Sequence, residues 1–416
     1  MFFIYQILFS LIILLSPIII LYRIIKRKEH TTRFTEKFSR SSGKRRKGKL
    51  IWFHGSSVGE ILSIIPLVRY YEKKIGINNI LITSSTLSSS KIIDKFKFKK
   101  VIHQFYPLDY FIFTKKFLNY WNPNIAIFID SEIWPAMFRE INLKKIPLIL
   151  LNARITKRSY RKWMWFSKFS KEVFNRITKA YPQNKETQTY LKKLKTKNIK
   201  FLGNLKFIED KQSKNLKNKD NFSNKFKKYK IWVAASTHKG EEIFCAKAHK
   251  ELKKKNKKLI TIIIPRHVDR AEEIRSEIQK LNLIVTMHTS KEKNLEKTDI
   301  YLVDVFGESK KFYELGPTVF LGKSLTIKGG QNPLEAVHHN SKIIHGPFTD
   351  NFRDVYKLLK SLKASYQIRN TQQLISLISF KKNNIIGKKI KKIGKTILNK
   401  TTKEIDKFIY NENKKT

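Results

Sequence analysis

The sequence predicts an α/β protein of two doubly wound domains in tandem, preceded by a transmembrane helix. Three observations carry this. Short, continuous β-branched apolar runs recur with helical patterns of about 15 to 30 residues between them, the mark of parallel strands buried on both faces. The series stops after Asn152 and begins afresh at Ile231, beyond a polar, lysine-rich connector. At 416 residues the chain is also two to three times the length of a typical domain.

Residues 1–25 form the predicted anchor. From Phe2 to Tyr22 no side chain is charged, and about 20 helical residues rising about 1.5 Å each span the roughly 30 Å hydrocarbon core of a bilayer. The charges of Arg23, Lys26, Arg27 and Lys28 follow the apolar stretch. A signal peptide would carry them before it. An uncleaved, single-pass inner-membrane anchor is expected, with the basic flank and everything after it cytoplasmic; Pro17 can kink such a span without preventing it. The first Rossmann-like domain is placed at 30–208, with strands expected at 50–54, 80–83, 101–106, 125–130 and 147–152. A linker follows at 209–230. The second domain is placed at 231–380, with strands expected at 231–235, 259–265, 300–305, 318–322 and 342–345. Residues 381–416 read as a basic helical segment to which no chemistry is assigned.

Composition narrows the classes. A hydrophobic share of 41% with 15 Gly and 11 Pro excludes collagen-like, low-complexity and wholly disordered chains. The one cysteine, Cys245, excludes an intrachain disulfide framework and fits a reducing compartment. Lys and Arg number 86 against 33 Asp and Glu, a formal charge of +53. Such a charge attracts nucleic acid, anionic lipid or acidic small molecules, or reflects a lysine-biased composition, and its sign does not choose among these.

Residues of chemical interest fall at the ends of the expected strands. After the first stands His54-Gly55-Ser56-Ser57-Val58-Gly59-Glu60, opening a helix. The glycines permit close backbone approach to a ligand at the helix N–H groups, with Glu60 facing the cleft; Ser57 and Glu60 also have the spacing of a capping box. The fourth run ends Asp130-Ser131-Glu132, an Asp-x-Glu pair without the extra carboxylates a metal would need. Arg154 follows the fifth, as an anion contact or as a partner for those acids. Lys206 stands in the 203–207 run, GNLKF, near the domain junction. In the second domain Thr237 suits an N-cap, and Pro265-Arg266 places a guanidinium where it could grip a phosphate or carboxylate. Phe306-Gly307-Glu308 makes a turn. Gly329-Gly330-Gln331-Asn332-Pro333-Leu334-Glu335 reads as a helix start, with Asn332 as N-cap, Pro333 first and Glu335 third. That start either seats a phosphate, with Glu335 on two ribose hydroxyls, or simply caps its helix. Ligands of doubly wound sheets sit at the carboxyl ends of the strands, so binding between facing domains is expected.

Taken in order, the runs SSVGE, FYPLD, SEIWP, LNARIT, GNLKF, ASTHKGEE, PRH, FGE and GGQNPLEA, with the anchor before them, resemble the Kdo transferases of lipopolysaccharide synthesis. These attach 3-deoxy-D-manno-octulosonic acid (Kdo) to the lipid A precursor. The resemblance spans nearly the whole chain. It implies a GT-B glycosyltransferase that takes CMP-Kdo as donor and lipid IVA as acceptor, with no cofactor and no metal. By motif matching, Glu60 resembles the general base, and Glu132 and Lys206 the residues supporting the transition state. Pro265, Arg266, Phe306, Gly307, Glu308, Asn332, Pro333, Leu334 and Glu335 resemble the CMP site. Two positions depart: Phe306 stands where the family commonly has another apolar residue, and Ile208 where an Asp is common.

The chemistry fits the residues. A carboxylate with an ordinary pKa of about 4.3 is ionised at neutral pH and can take the proton of an attacking sugar hydroxyl. One such base with direct attack implies inversion. Lys206, Arg266 and a helix N-terminus would stabilise the departing phosphate. An acidic acceptor lipid in an anionic leaflet would explain both the anchor and the basic surface. Two alternatives stand beside this. Another GT-B enzyme could use a UDP-sugar on a lipid. A nucleic-acid-binding membrane protein would account for the charge, but not for glycine-flanked acids at strand ends, and no nucleic-acid motif occurs.

Overall fold

The computed structural model describes residues 1–209, 222–291 and 293–410. Most of the linker expected at 209–230 therefore lies outside the described residues. The chain divides into two compact units, Met1–Asp210 with Gly394–Thr416, and Lys211–Ile393.

The first unit holds six parallel strands: β1 (Lys49–His54), β2 (Ile77–Ser84), β3 (Val101–Phe105), β4 (Ile125–Ile129), β5 (Leu148–Ala153) and β6 (Lys179–Pro182). Their order is β3-β2-β1-β4-β5-β6. β1 pairs with β2 on one side and β4 on the other, Phe53 facing Ile82 and Ile127. The order reverses between β1 and β4, which opens a crevice at their carboxyl ends. β4 is buried at every position because helices cover both faces of the sheet. On one face Trp52, Phe117, Phe128 and Phe138 pack ring to ring, with Trp52 to Phe117 at 4.9 Å and Phe128 to Phe138 at 5.1 Å. Each such side chain contributes about 1.5 to 3 kcal/mol on burial.

The second unit holds seven parallel strands: β7 (Lys230–Thr237), β8 (Leu259–Pro265), β9 (Val285–Met287), β10 (Ile300–Leu302), β11 (Thr318–Leu321), β12 (Lys342–His345) and β13 (Ser365–Gln367). They run in the order β13-β12-β11-β7-β8-β10-β9. Trp232, Ile263, Phe320 and Ile344 lie in its core, with Cys245 buried beside them. The short helix Phe222–Phe226, within the expected linker, packs into this unit: Phe222 lies 5.6 Å from Phe312 and Phe226 lies 5.3 Å from Tyr301.

Three strands have no counterpart among the predicted runs. β6, β9 and β13 are three or four residues long and lie at sheet edges, where a strand needs no continuous apolar run to be held. The C-terminal segment is one helix, Asn384–Tyr410, and from Gly394 onward it groups with the first unit. Tyr181 donates to Glu404 at 2.9 Å and Tyr71 to Asp406 at 3.0 Å, so this stretch is part of that unit's wall.

Candidate active site

The crevice between β1 and β4 gathers the first group of candidates. β1 ends at His54, and the helix Val58–Glu72 starts with Ser57 as N-cap, its hydroxyl accepting from the Glu60 N–H at 3.4 Å. The Glu60 carboxylate turns back over this start, accepting from the Ser57 hydroxyl at 2.9 Å and the Ser56 N–H at 2.7 Å. The capping and cleft-facing readings are therefore compatible. Gly55 is what admits the carboxylate: a Cβ there would stand 3.1 Å from Glu60 Cβ and 3.6 Å from Oε2. Gly59 meets nothing within 4 Å and faces open space. Glu60 does not keep the ordinary pKa expected of it. Burial first, and then the Glu132 charge, push it up to about 7, against the two hydrogen bonds that favour the anion.

Glu132 is fixed by its neighbours. Its Oε2 lies 3.1 Å from His54 Nε2 and accepts from Trp134 Nε1 at 2.9 Å. His54 is fully buried, its Nδ1 lies 2.9 Å from the Thr83 hydroxyl, and Tyr106 stacks on its ring at 3.9 Å. Thr83 also accepts from Trp52 Nε1 at 2.9 Å. An indole can only donate, so one consistent chain runs Trp52 to Thr83 to His54 Nδ1, which leaves Nε2–H to donate to Glu132. His54 was not among the residues expected in the site; its place as the last residue of β1, pointing to the end of β4, is the signal that marks it.

Asp130, just after β4, sits at φ +60°, a left-handed conformation that Asp tolerates better than most residues. Burial raises its carboxyl pKa, while Lys206 and Arg154 pull it down. Lys206 is lowered by burial and held up chiefly by Asp130, with Glu60 adding to it. Glu60, Glu132, Asp130, Arg154 and Lys206 thus form one electrostatic cluster at a switch point. Arg154 joins it through its charge on Asp130, and Glu132 is engaged by His54 and Trp134. Among the described residues no group of three or more His, Cys, Asp or Glu is placed to hold a metal.

The turn that carries Lys206 is built by close packing. Asn152, at φ +53° in β5, accepts from the Leu205 N–H at 3.0 Å, and Asn204 accepts from the Lys206 N–H at 2.9 Å. Gly203, at φ +109°, packs on the C-terminal helix: a Cβ would lie 2.7 Å from Ile397, and one on Gly394 would lie 2.4 Å from the Phe207 carbonyl. The segment given no chemistry from sequence therefore holds the Lys206 turn in place.

The second unit presents a different site. Pro265 ends β8, and Arg266 follows it, exposed, its N–H bonded to the Thr237 carbonyl at 3.0 Å. β10 is the neighbour of β8, and the turn after it carries Phe306, 77% exposed, and Gly307 at φ +92°. Glu308 is engaged by Lys311 and His288, both at 3.2 Å. The helix expected from Asn332 is only five residues, Leu334–His338, with Pro333 in the N-cap position. This corrects the predicted frame by one residue. Asn332 still accepts from the Leu334 N–H at 3.1 Å, while Glu335 pairs with Lys310 at 3.4 Å instead of closing a cap. Thr237 is likewise no cap: it ends β7, and the next helix, Glu241–Lys255, begins after Gly240.

Glu241 takes the organising role in this unit. Fully buried, its carboxylate accepts from the N–H groups of His238 (3.0 Å), Lys323 (2.8 Å), Ser324 (3.1 Å) and Leu325 (3.0 Å). It ties the loops after β7 and β11 together across glycines that admit nothing larger. A Cβ on Gly322 would meet the Ser236 carbonyl at 2.4 Å, and one on Gly346 the Ser324 carbonyl at 2.1 Å.

A family model described as 3-deoxy-D-manno-octulosonic-acid transferase (kdotransferase) matches residues 32–209, the stretch containing Glu60, Glu132 and Lys206. The chain is 33% identical over 370 residues to a 3-deoxy-D-manno-octulosonic acid transferase of Rickettsia bellii, covering 88% of each chain. It is 33% identical over 331 residues to the enzyme of the same name from Rickettsia felis, covering 80% of this chain and 71% of that one. Among solved structures it is similar to a UDP-GlcNAc 2-epimerase from Neisseria meningitidis, with a TM-score of 0.57 at 13% identity over 88% of this chain and all of that one. That likeness is one of fold.

Proposed function

The chain belongs to the 3-deoxy-D-manno-octulosonic acid transferases and is a GT-B glycosyltransferase, and from that premise we propose that it carries Kdo from CMP-Kdo to lipid IVA with inversion, Glu60 acting as general base. The observation that supports this most is the state of Glu60, a carboxylate pushed up to about 7 and aimed by two donors at a strand-end crevice. A base works best when its pKa lies near the working pH.

In the reaction the acceptor hydroxyl attacks the anomeric carbon of Kdo as its proton passes to Glu60. The new carbon–oxygen bond forms on the face opposite the departing CMP, whose phosphate takes up the bonding electrons. Glu132, held by His54 and Trp134, supports the positive character of the sugar carbon. Lys206 supplies positive charge where negative charge develops, in a partly buried site where it is worth more than in water. In the second unit, Arg266, the Phe306–Glu308 turn and the Asn332–Glu335 start serve the CMP group, beside loops that Glu241 holds in place through the Lys323, Ser324 and Leu325 N–H groups. The N-terminal apolar helix attaches the enzyme to the cytoplasmic face of the inner membrane, where its lipid acceptor lies.

Incubating the membrane fraction with CMP-Kdo and lipid IVA, and weighing the product by mass spectrometry, tests the reaction. Addition of Kdo to lipid IVA is expected. Transfer from UDP-sugars with none from CMP-Kdo would refute the donor.

A further inference from the structure

We propose that the N-terminal helix does not cross the membrane but lies flat in its cytoplasmic leaflet, seated lengthwise on the first unit. The proposal rests on the membrane attachment given above and replaces the single pass expected from length.

The helix Phe2–Ile25 has 24 residues, about 36 Å at 1.5 Å each, long enough to span. Both of its ends, however, belong to the same water-soluble unit. At the start, Tyr5 donates to Asp109 at 2.7 Å, and Gln6 accepts from the Phe111 N–H at 3.0 Å. The Arg139 guanidinium lies 4.4 Å from the Phe2 ring, and Phe169 packs 5.8 Å from Tyr5. Asp109 is no surface graft: it is fully buried and also accepts the Ala136 and Met137 N–H groups at 2.9 and 2.8 Å, at the start of the helix that follows Glu132 and Trp134. At the other end, Arg23 pairs with Glu29 at 3.1 Å, Glu29 pairs with Lys37, and the chain enters the turn Arg33–Phe38. A crossing helix would set Tyr5 about 30 Å away from that turn, across the bilayer core from Asp109.

Side-chain exposure agrees along the whole length. Phe2, Gln6, Phe9, Ile13, Ser16 and Ile20 are covered, spaced alternately by four and three residues, which is one continuous stripe of an α-helix. Gln6, Ser16 and Ile20 are buried. Apart from Tyr22 beside the basic end, every exposed side chain of the helix is apolar, with Phe3, Leu14 and Ile18 at 74%, 76% and 69%. One face on protein and one almost wholly apolar face outward is the form of an in-plane helix that sinks about 5 to 10 Å into a leaflet.

Charge complementarity names the occupant of that face. Arg23, Lys26, Arg27 and Lys28 flank one end. Near the other, the helix Lys157–Trp165 exposes Lys157, Arg158, Arg161 and Lys162, followed by exposed Trp165 and Phe166, three residues before the Phe169 that packs on Tyr5. Basic residues attract an anionic leaflet at about 1 kcal/mol each, and tryptophan favours the interface. The outward face therefore takes anionic phospholipid.

Tags placed before Met1 and after Thr416 of the full chain, with protease applied to intact spheroplasts and to inverted inner-membrane vesicles, decide the question. Both tags should survive in spheroplasts and both should be cut in inverted vesicles. Cutting of the N-terminal tag alone in spheroplasts would establish a crossing helix and overturn the proposal. Recovery of the chain in the soluble fraction would overturn the attachment itself, and the in-plane placement with it. As a second measurement, Leu14→Asp with Ile18→Asp should weaken binding to phosphatidylglycerol vesicles at least tenfold with the melting temperature unchanged. Unchanged binding would count against the outward face as the lipid contact.

Discussion

The two strand-end sites of this chain are built on opposite plans. In the first unit the candidate groups are side chains: Glu60, Asp130, Glu132, Arg154 and Lys206 are drawn into a crevice where burial shifts three of them from their ordinary pKa values. In the second unit the side chains expected to bind are mostly at the surface, and what is buried is a device for aiming backbone. Glu241 collects four N–H groups while Gly322 and Gly346 let the loops close up. The difference suits the work proposed for each. Moving a proton needs a group whose charge is held in balance, whereas holding a nucleotide needs donors at fixed positions and room beside them.

Four substitutions or conditions sharpen this contrast. The largest effect on stability should come from Glu241→Ala, which leaves four backbone donors without their acceptor. At roughly 1 to 3 kcal/mol per unsatisfied group, the loss should exceed about 3 kcal/mol. Urea unfolding should show the second unit melting early. Arg266→Ala should weaken CMP binding by roughly ten- to a hundredfold, the range for losing one charge-assisted contact, as read by calorimetry. For pH, Glu60 must be ionised to act, and its pKa is about 7. Turnover should rise to a plateau above pH 7 and be about tenfold lower at pH 6. Its effect on stability has the opposite sense: a carboxyl raised in the folded state costs nothing while protonated, and costs stability as pH climbs from its ordinary value to about 7. The smallest effect belongs to Glu335→Gln. The Lys310 pair it breaks is half-exposed, so the melting temperature should barely move. Any change in CMP affinity would then report on the ribose contact proposed for Glu335.

Much of this was legible in the sequence because doubly wound domains write their central strands as uninterrupted apolar runs. β1, β4, β7 and β8 carry such runs, and the residues just past β1, β4 and β8 are candidate site residues by topology alone. What escaped was set by tertiary packing. The edge strands β6, β9 and β13 have too few residues to leave a pattern. His54 and Glu241 act through partners far away in sequence, at 78 positions for Glu132 and 82 to 84 for the loop after β11. No local rule pairs them. The Asn332 start shifted by one residue because Pro333 occupies the cap position with helical dihedrals of −83° and −14°. For the N-terminal helix, length and hydropathy are the same for a span and for the in-plane placement proposed above, and only the Tyr5–Asp109 bond and the covered stripe bear on the choice.

The central claim is that Glu60 takes the acceptor's proton, and the rate of Kdo transfer by Glu60→Gln tests it most directly. Glutamine can still accept from the Ser56 N–H through its carbonyl oxygen, while its amide NH2 can donate to the Ser57 hydroxyl oxygen, so the helix start and the melting temperature should be kept. It cannot take up a proton at neutral pH. Single-turnover transfer should fall by about 10²-fold or more with CMP affinity unchanged. Transfer at a near-normal rate would contradict the account and leave Glu60 as a cap.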